Sequence, residues 1–121
     1  MKIQESAENY LETILILSER STYVRSIDIA NELNFTKPSV SVAMKNLREL
    51  GHITVSKEGF INLTASGREI ADMIYERHQL LSAWLVKLGV DEKTASEDAC
   101  KIEHVISKES FEAIKKHVNK K

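Results

Sequence analysis

The stretch SIDIANELNFTKPSVSVAMKNLRELGHITVSKEGFINLT, residues 26–64, holds two helix signatures, a tight link between them and a hairpin signature. SIDIANEL fits a short helix with Ile27, Ala30 and Leu33 turned inward. The link Asn34-Phe35 leads to Thr36, whose hydroxyl suits an N-cap. Pro38 follows in the first turn, where its missing N–H costs nothing. This helix is predicted to run to about Leu50 and to stop at Gly51. His52–Val55 and Phe60–Leu63 read as two short strands about a Lys57-Glu58-Gly59 turn. Two helices joined by a tight turn and followed by a hairpin make a winged helix-turn-helix, whose second helix is of the size that enters a major groove.

That second helix has two faces. Val40, Ala43, Met44 and Leu47 share one side and are expected to pack inward. Lys37, Ser41, Lys45 and Arg48 form a separate polar stripe. Basic side chains neutralise phosphates, and short hydroxyls near a helix start can approach base edges or phosphates. Between Thr36 and Lys57 four Lys/Arg face one acid, Glu49, in a chain whose net charge is −1. Lys57, in the wing, is placed to touch phosphate or minor groove. A polar stripe is also what any solvated helix face shows, and helix-turn-helix modules also serve as protein-interaction domains.

Working outward, residues 6–20 read as a helix capped by Ser6, with Ala7, Tyr10, Leu11, Ile14 and Leu15 as its buried stripe. Thr64 can cap a long helix from Ala65 to Leu88 that ends at Gly89. Asp91 can cap a further helix to about Ile106, and Ser107 a last one to about Val118, before a frayed Asn119-Lys120-Lys121 tail. The expected fold is mostly α: a winged helix-turn-helix over residues 1–63, then a helical metal-binding and dimerisation domain over 64–121. Trp84, Leu85, Leu88, Phe111 and Ile114 give the later part more apolar surface than a few isolated helices bury alone, which points to a homodimer; burial within one subunit is the competing account.

With 42% hydrophobic and 29% charged residues in 121, the chain is of ordinary globular composition. No apolar run approaches the roughly 20 residues that span a bilayer, and the N-terminus lacks an apolar signal core. A single cysteine, Cys100, cannot form an intramolecular disulfide and fits a reducing, cytoplasmic compartment.

CKIEHV, residues 100–105, sets Cys100, Glu103 and His104 at i, i+3 and i+4, on a side of their helix other than the stripe of Ala95, Ala99, Ile102 and Ile106. On the first helix Asn9 and Glu12 lie opposite its apolar stripe, alongside Glu5. On the long helix His78 is in register with Ile74, Leu81 and Leu85. Each has an ordinary reading: a histidine on an apolar face is commonly a hydrogen-bonded core residue, and a Glu–His pair is commonly surface chemistry. Taken together they offer a thiolate, two carboxylates, two imidazoles and an amide. That mixed set suits a first-row divalent transition metal, not Ca²⁺ or Mg²⁺, whereas structural zinc sites are typically richer in cysteine.

The sequence resembles the iron-dependent repressor family, which includes the diphtheria toxin repressor and the manganese transport regulator. The likeness runs through SAENYLETI, SIDIANELNFTKPSVSVAMKNLRELGHI, LTASGREIA, ERHQLL and GVDEKTASEDACKIEHVIS. It implies a homodimer whose winged helix-turn-helix binds palindromic operator DNA when a divalent metal is loaded, and so a repressor serving metal homeostasis. It implies the metal ligands Asn9, Glu12, His78, Cys100, Glu103 and His104, and operator contacts at Thr36, Pro38, Ser39 and Ser41. Lys37, Lys45, Arg48 and Lys57 complete the expected DNA-binding set. A Pro or Thr methyl suits a thymine methyl in the major groove. Asn9 stands where iron-type members have Met and manganese-type members Asp, while Cys100 matches the iron type. Ser82 and Ser96 replace a Glu and a His that help build an ancillary site in the iron type; Glu12 with His78 could hold a second ion, as in the manganese type. The chain ends before the SH3-like third domain of many relatives, so a two-domain form is expected.

Ligand softness at Cys100 favours Fe²⁺ over Mn²⁺; Zn²⁺, Ni²⁺ or Co²⁺ can substitute in vitro. The expected mechanism is a cation that staples the DNA-reading half to the dimerisation half and thereby fixes the spacing of two recognition helices. A metal-independent winged-helix repressor responding to another ligand is the alternative. A metal-storing or metal-dependent catalytic protein is a further one, but the chain shows no evident acid–base pair, and no enzymatic activity is expected. Oxidation of Cys100 would find no second cysteine to resolve it.

Overall fold

A computed structural model describes residues 5–119. The elements run α1 (Glu5–Arg20), α2 (Ser26–Leu33), α3 (Lys37–Glu49), β1 (Ile53–Val55), β2 (Ile61–Leu63), α4 (Ala65–Lys87), α5 (Glu92–Val105) and α6 (Lys108–Asn119). Two compact units, Met1–Asp72 and Met73–Lys121, divide the chain, the division falling within α4.

In the first unit Leu11, Ile14 and Leu15 of α1 pack with Ile29 and Ala30 of α2 and with Val40, Met44 and Leu47 of α3, all nearly or fully buried. The inward residue of α2 is Ile29, not Ile27, which is exposed. Successive helix residues turn by about 100°, so with Ile29 and Ala30 buried on the packed side of α2, Ile27 lies nearly opposite Ile29 and faces outward. Arg25 occupies the N-cap in extended geometry and Asp28 reaches back to accept its N–H at 2.9 Å. Ser6 is likewise not a cap: it lies inside the first turn of α1. The proposed fraying of the tail falls on Lys120 and Lys121, outside the described residues; Asn119 closes α6.

The helix-turn-helix link depends on Asn34, which adopts φ 58°, a left-handed conformation that asparagine tolerates better than most residues. This lets the Phe35 amide donate to the Ala30 carbonyl at 3.0 Å and redirects the chain within three residues. Thr36 then caps α3, accepting from the Ser39 amide at 3.3 Å.

β1 and β2 pair antiparallel with Ile53 opposite Leu63 and Val55 opposite Ile61. Their buried ends, Ile53 and Ile61, anchor the wing to the core. The Ile61 amide donates to Val24 O at 2.7 Å, so the segment before α2 also ties down the wing. Thr64 caps α4 as expected: its hydroxyl accepts from the Gly67 amide at 3.3 Å and donates to the Gly51 carbonyl at 2.7 Å.

The second unit is built on Leu81 of α4, Ala99 of α5 and Phe111 of α6, with Leu80, Trp84, Ile102, Ile106 and Ile114 packed around them. Phe111 is thus committed to this core, while Trp84 and Ile114 pack against it and remain partly exposed. The most exposed large apolar residues of this unit are Val86 and Leu88 near the end of α4 and Val105 on α5, together with Met73. Asp91 caps α5 by accepting from the Thr94 amide at 3.1 Å, and Ser107 caps α6 by accepting from the Ser110 amide at 3.0 Å.

Candidate metal centre and nucleic-acid interface

The C-x-x-E-H turn lies near the end of α5. Ala95 and Ala99 are small enough to let α5 lie close to its neighbours, and the last turn then carries Glu103 inward. Glu103 is wholly buried, at 0% exposure, so the wet-face reading of this residue does not hold. Cys100 is exposed, and the His104 side chain is 3% exposed. The donor atoms of Cys100, Glu103 and His104 all lie within 4.8 Å of one another.

Around the carboxylate two imidazoles converge. His104 Nε2 is 3.7 Å from Glu103 Oε1, and His78 Nδ1, from α4, is 3.5 Å from Oε2. Neither separation is a good hydrogen bond, and neither oxygen of Glu103 has a hydrogen-bond partner among the described residues. A buried carboxylate without donors is costly unless a cation compensates it. The residues therefore fit a metal: one thiol, one carboxylate and two imidazoles are gathered in one unit, with nitrogen and sulfur donors that suit a transition ion. Of the other expected ligands, Asn9 is half-buried and Glu12 buried, both on α1 in the first unit.

On the first unit Lys37, Pro38, Ser39, Ser41, Lys45 and Arg48 are all exposed along α3, with Thr36 exposed at its cap and Lys57 exposed at the wing tip. Thr36 and Ser39 are partly committed to the helix start, where their hydroxyls also bond each other at 2.8 Å. Two features escaped the sequence reading. Val42 is 60% exposed on α3 although apolar, and its position between two polar stripe residues gave it no distinguishing periodicity. Arg77 is buried at 7% exposure. A charged residue in register with Ile74, Leu81 and Trp84 on an apolar stripe was a legible signal for it.

A winged helix-turn-helix, followed by a helical unit whose core side holds a Cys/Glu/His/His donor cluster, defines a metal-dependent DNA-binding regulator. Residues 2–60 match the model of the iron-dependent repressor N-terminal DNA-binding domain, and residues 64–120 that of the iron-dependent repressor metal-binding and dimerisation domain. The chain belongs to the iron-dependent repressor family. It is 38% identical over 115 residues to an HTH-type transcriptional regulator of Methanocaldococcus jannaschii, covering 93% of this chain and 92% of that one. It is 32% identical over 112 residues to the transcriptional regulator MntR of Escherichia coli, covering 93% of this chain and 72% of MntR. The solved manganese regulator SloR superposes with a TM-score of 0.83 at 28% identity, covering 98% of this chain and 55% of SloR. These relatives are transcriptional regulators, not enzymes. Among the described residues no helix is long and apolar enough to cross a membrane.

Proposed function

We propose that this protein is a metal-dependent repressor that binds palindromic operator DNA as a homodimer when loaded with a divalent transition metal, and so serves metal homeostasis. The observation that carries the reading is Glu103: a wholly buried carboxylate with no hydrogen-bond donor among the described residues, faced by two imidazole nitrogens and near a thiol. Residues 1–63 form the DNA-reading domain and 64–121 the metal-binding and dimerisation domain in this reading, a partition the two family matches support.

When bound, the cation would supply positive charge at the donor cluster. Cys100, Glu103, His104 and His78 would hold it from the helical unit, and Asn9 and Glu12 would complete the set from α1. Joining α1 to the later helices restricts the freedom of the DNA-reading heads. Only a preference of the ion for the DNA-competent arrangement raises operator affinity. Lys37, Lys45, Arg48 and Lys57 neutralise phosphates, while Pro38 and Ser41 meet base edges. Fe²⁺ and Mn²⁺ are the proposed cellular effectors: the Cys100 thiolate favours the former, and the likeness to manganese regulators the latter.

The test is operator binding, measured anaerobically after chelator treatment and again with Fe²⁺, Mn²⁺ or Zn²⁺ added, for wild type and Glu103→Ala. Wild type should gain roughly 5- to 150-fold in affinity with its effector. The variant should fold yet show no gain. Metal-dependent binding that survives in Glu103→Ala would remove the site.

A further inference from the structure

Arg77 is buried beside the donor cluster, yet it does not pair with the buried acid there. Its NH1 group donates at 3.1 Å to the backbone carbonyl of Glu103 and at 3.1 Å to that of Ile106. The guanidinium lies 5.5 Å from the centre of the Phe111 ring, and Nε has no hydrogen-bond partner among the described residues. A buried arginine next to a buried glutamate would ordinarily form a fork-to-carboxylate ion pair. Here both carboxylate oxygens of Glu103 lack a hydrogen-bond donor among the described residues while the guanidinium satisfies carbonyls at the helix end.

The carbonyls in question are among those that no helical N–H reaches at a C-terminus, where the helix dipole also favours a positive charge. One guanidinium therefore holds both ends of the turn 103–106, the turn that carries Glu103 and His104. It also sits one residue before His78 on α4, so the same side chain fixes the separation between the two helices that supply donors.

We propose that Arg77 is a positioning residue for the metal centre: by capping the end of α5 through two backbone carbonyls it orients Glu103 and His104 toward the ion and leaves the carboxylate, faced by two imidazoles, open to it. This rests on the metal-binding reading above. Arg77 touches no ion itself; its fork provides the outer support that donor groups require.

The experiment uses Arg77→Met and Arg77→Lys, with Leu81→Ala as a control that loosens the same core without touching those carbonyls. Binding of Co²⁺ and Mn²⁺ is measured calorimetrically, and the thiolate-to-cobalt absorption is recorded. Amide hydrogen exchange of residues 103–106 is followed in the metal-free proteins. Arg77→Met should weaken metal binding about 10- to 100-fold. It should alter the cobalt spectrum and speed exchange of that turn without metal. Arg77→Lys, with one compact donor group, should lose less, and Leu81→Ala should keep wild-type affinity and spectrum. If Arg77→Met does not fold, Arg77→Lys decides, since its affinity and spectrum should still depart from wild type. Wild-type affinity, spectrum and exchange in the folded arginine variants would overturn the proposal while leaving the metal site standing. Failure of wild type itself to bind either ion would overturn both readings, and the wild-type measurement alone reports that case.

Discussion

Glu103, in the proposed metal centre, illustrates at the scale of one residue how function would oppose stability. Its carboxylate lies in an enclosed setting with no hydrogen-bond donor among the described residues, an arrangement that costs the metal-free protein. Glu103→Gln keeps the shape and removes the charge. At pH 8.5, above the ordinary imidazole range, the chelator-treated variant should be more stable than wild type by roughly 1–3 kcal/mol in urea melts. Added metal should raise the wild-type midpoint and not the variant's. Asp91 shows the opposite relation. The Thr94 side-chain and backbone hydrogen bonds hold its carboxyl below the ordinary aspartate range, so its ionised form is favoured by folding. Because the folded value is the lower one, the cap's contribution is present above the unfolded value and is lost as pH falls through the folded one. The melting-temperature gap between wild type and Asp91→Ala should therefore be open at pH 7 and close as the solution is acidified below the ordinary aspartate range. A gap independent of pH would mean that the carboxylate is not the cap.

At the scale of elements, the end of α3 and the start of α4 are joined by a clamp. The Thr64 amide donates to the His52 carbonyl at 3.1 Å, and the Thr64 and Ser66 hydroxyls both reach the Gly51 carbonyl. Gly67 makes this possible, because a methyl group there would collide with the His52 carbonyl carbon and oxygen. Both sides of that contact are backbone, so relief requires α4 to shift as a whole. Gly67→Ala should lower stability by roughly 1–3 kcal/mol despite alanine's better helix propensity. Thermal melts check this; a neutral or stabilising outcome would show that α4 can slide on the wing. The sequence made α4 and its Thr64 cap legible, since they follow from local patterns. The close approach at Gly67 was not legible, because it joins positions whose nearness depends on how the hairpin returns.

At the scale of the whole molecule, Leu88 is 64% exposed and Val105 75% exposed in a single chain. The proposed homodimer gives such surface a partner. Leu88→Glu should leave the thermal stability of an isolated chain nearly unchanged while shifting light-scattering mass from dimer toward monomer and weakening operator binding. An unaltered dimer mass would place the interface elsewhere. Phe111, expected on this surface, is buried with Leu81 and Ala99, whereas Trp84 and Ile114 pack against that core and stay partly exposed. Periodicity identifies an apolar face; it does not say whether the neighbour covering it belongs to the same chain.

The sequence alone determined the order of elements, the capping at Thr36, Thr64, Asp91 and Ser107, and the helical phase that sets Cys100, Glu103 and His104 on one turn. All of these depend on interactions between residues a few positions apart, which local geometry fixes. Tertiary structure decided that Glu103 is dry, that His78 Nδ1 approaches it, and that Arg77 serves backbone carbonyls and not the carboxylate. It also chose Ile29 over Ile27 as the inward residue of α2. Those outcomes turn on which groups lose water and which distant partner replaces it, and that is settled only when separate helices pack.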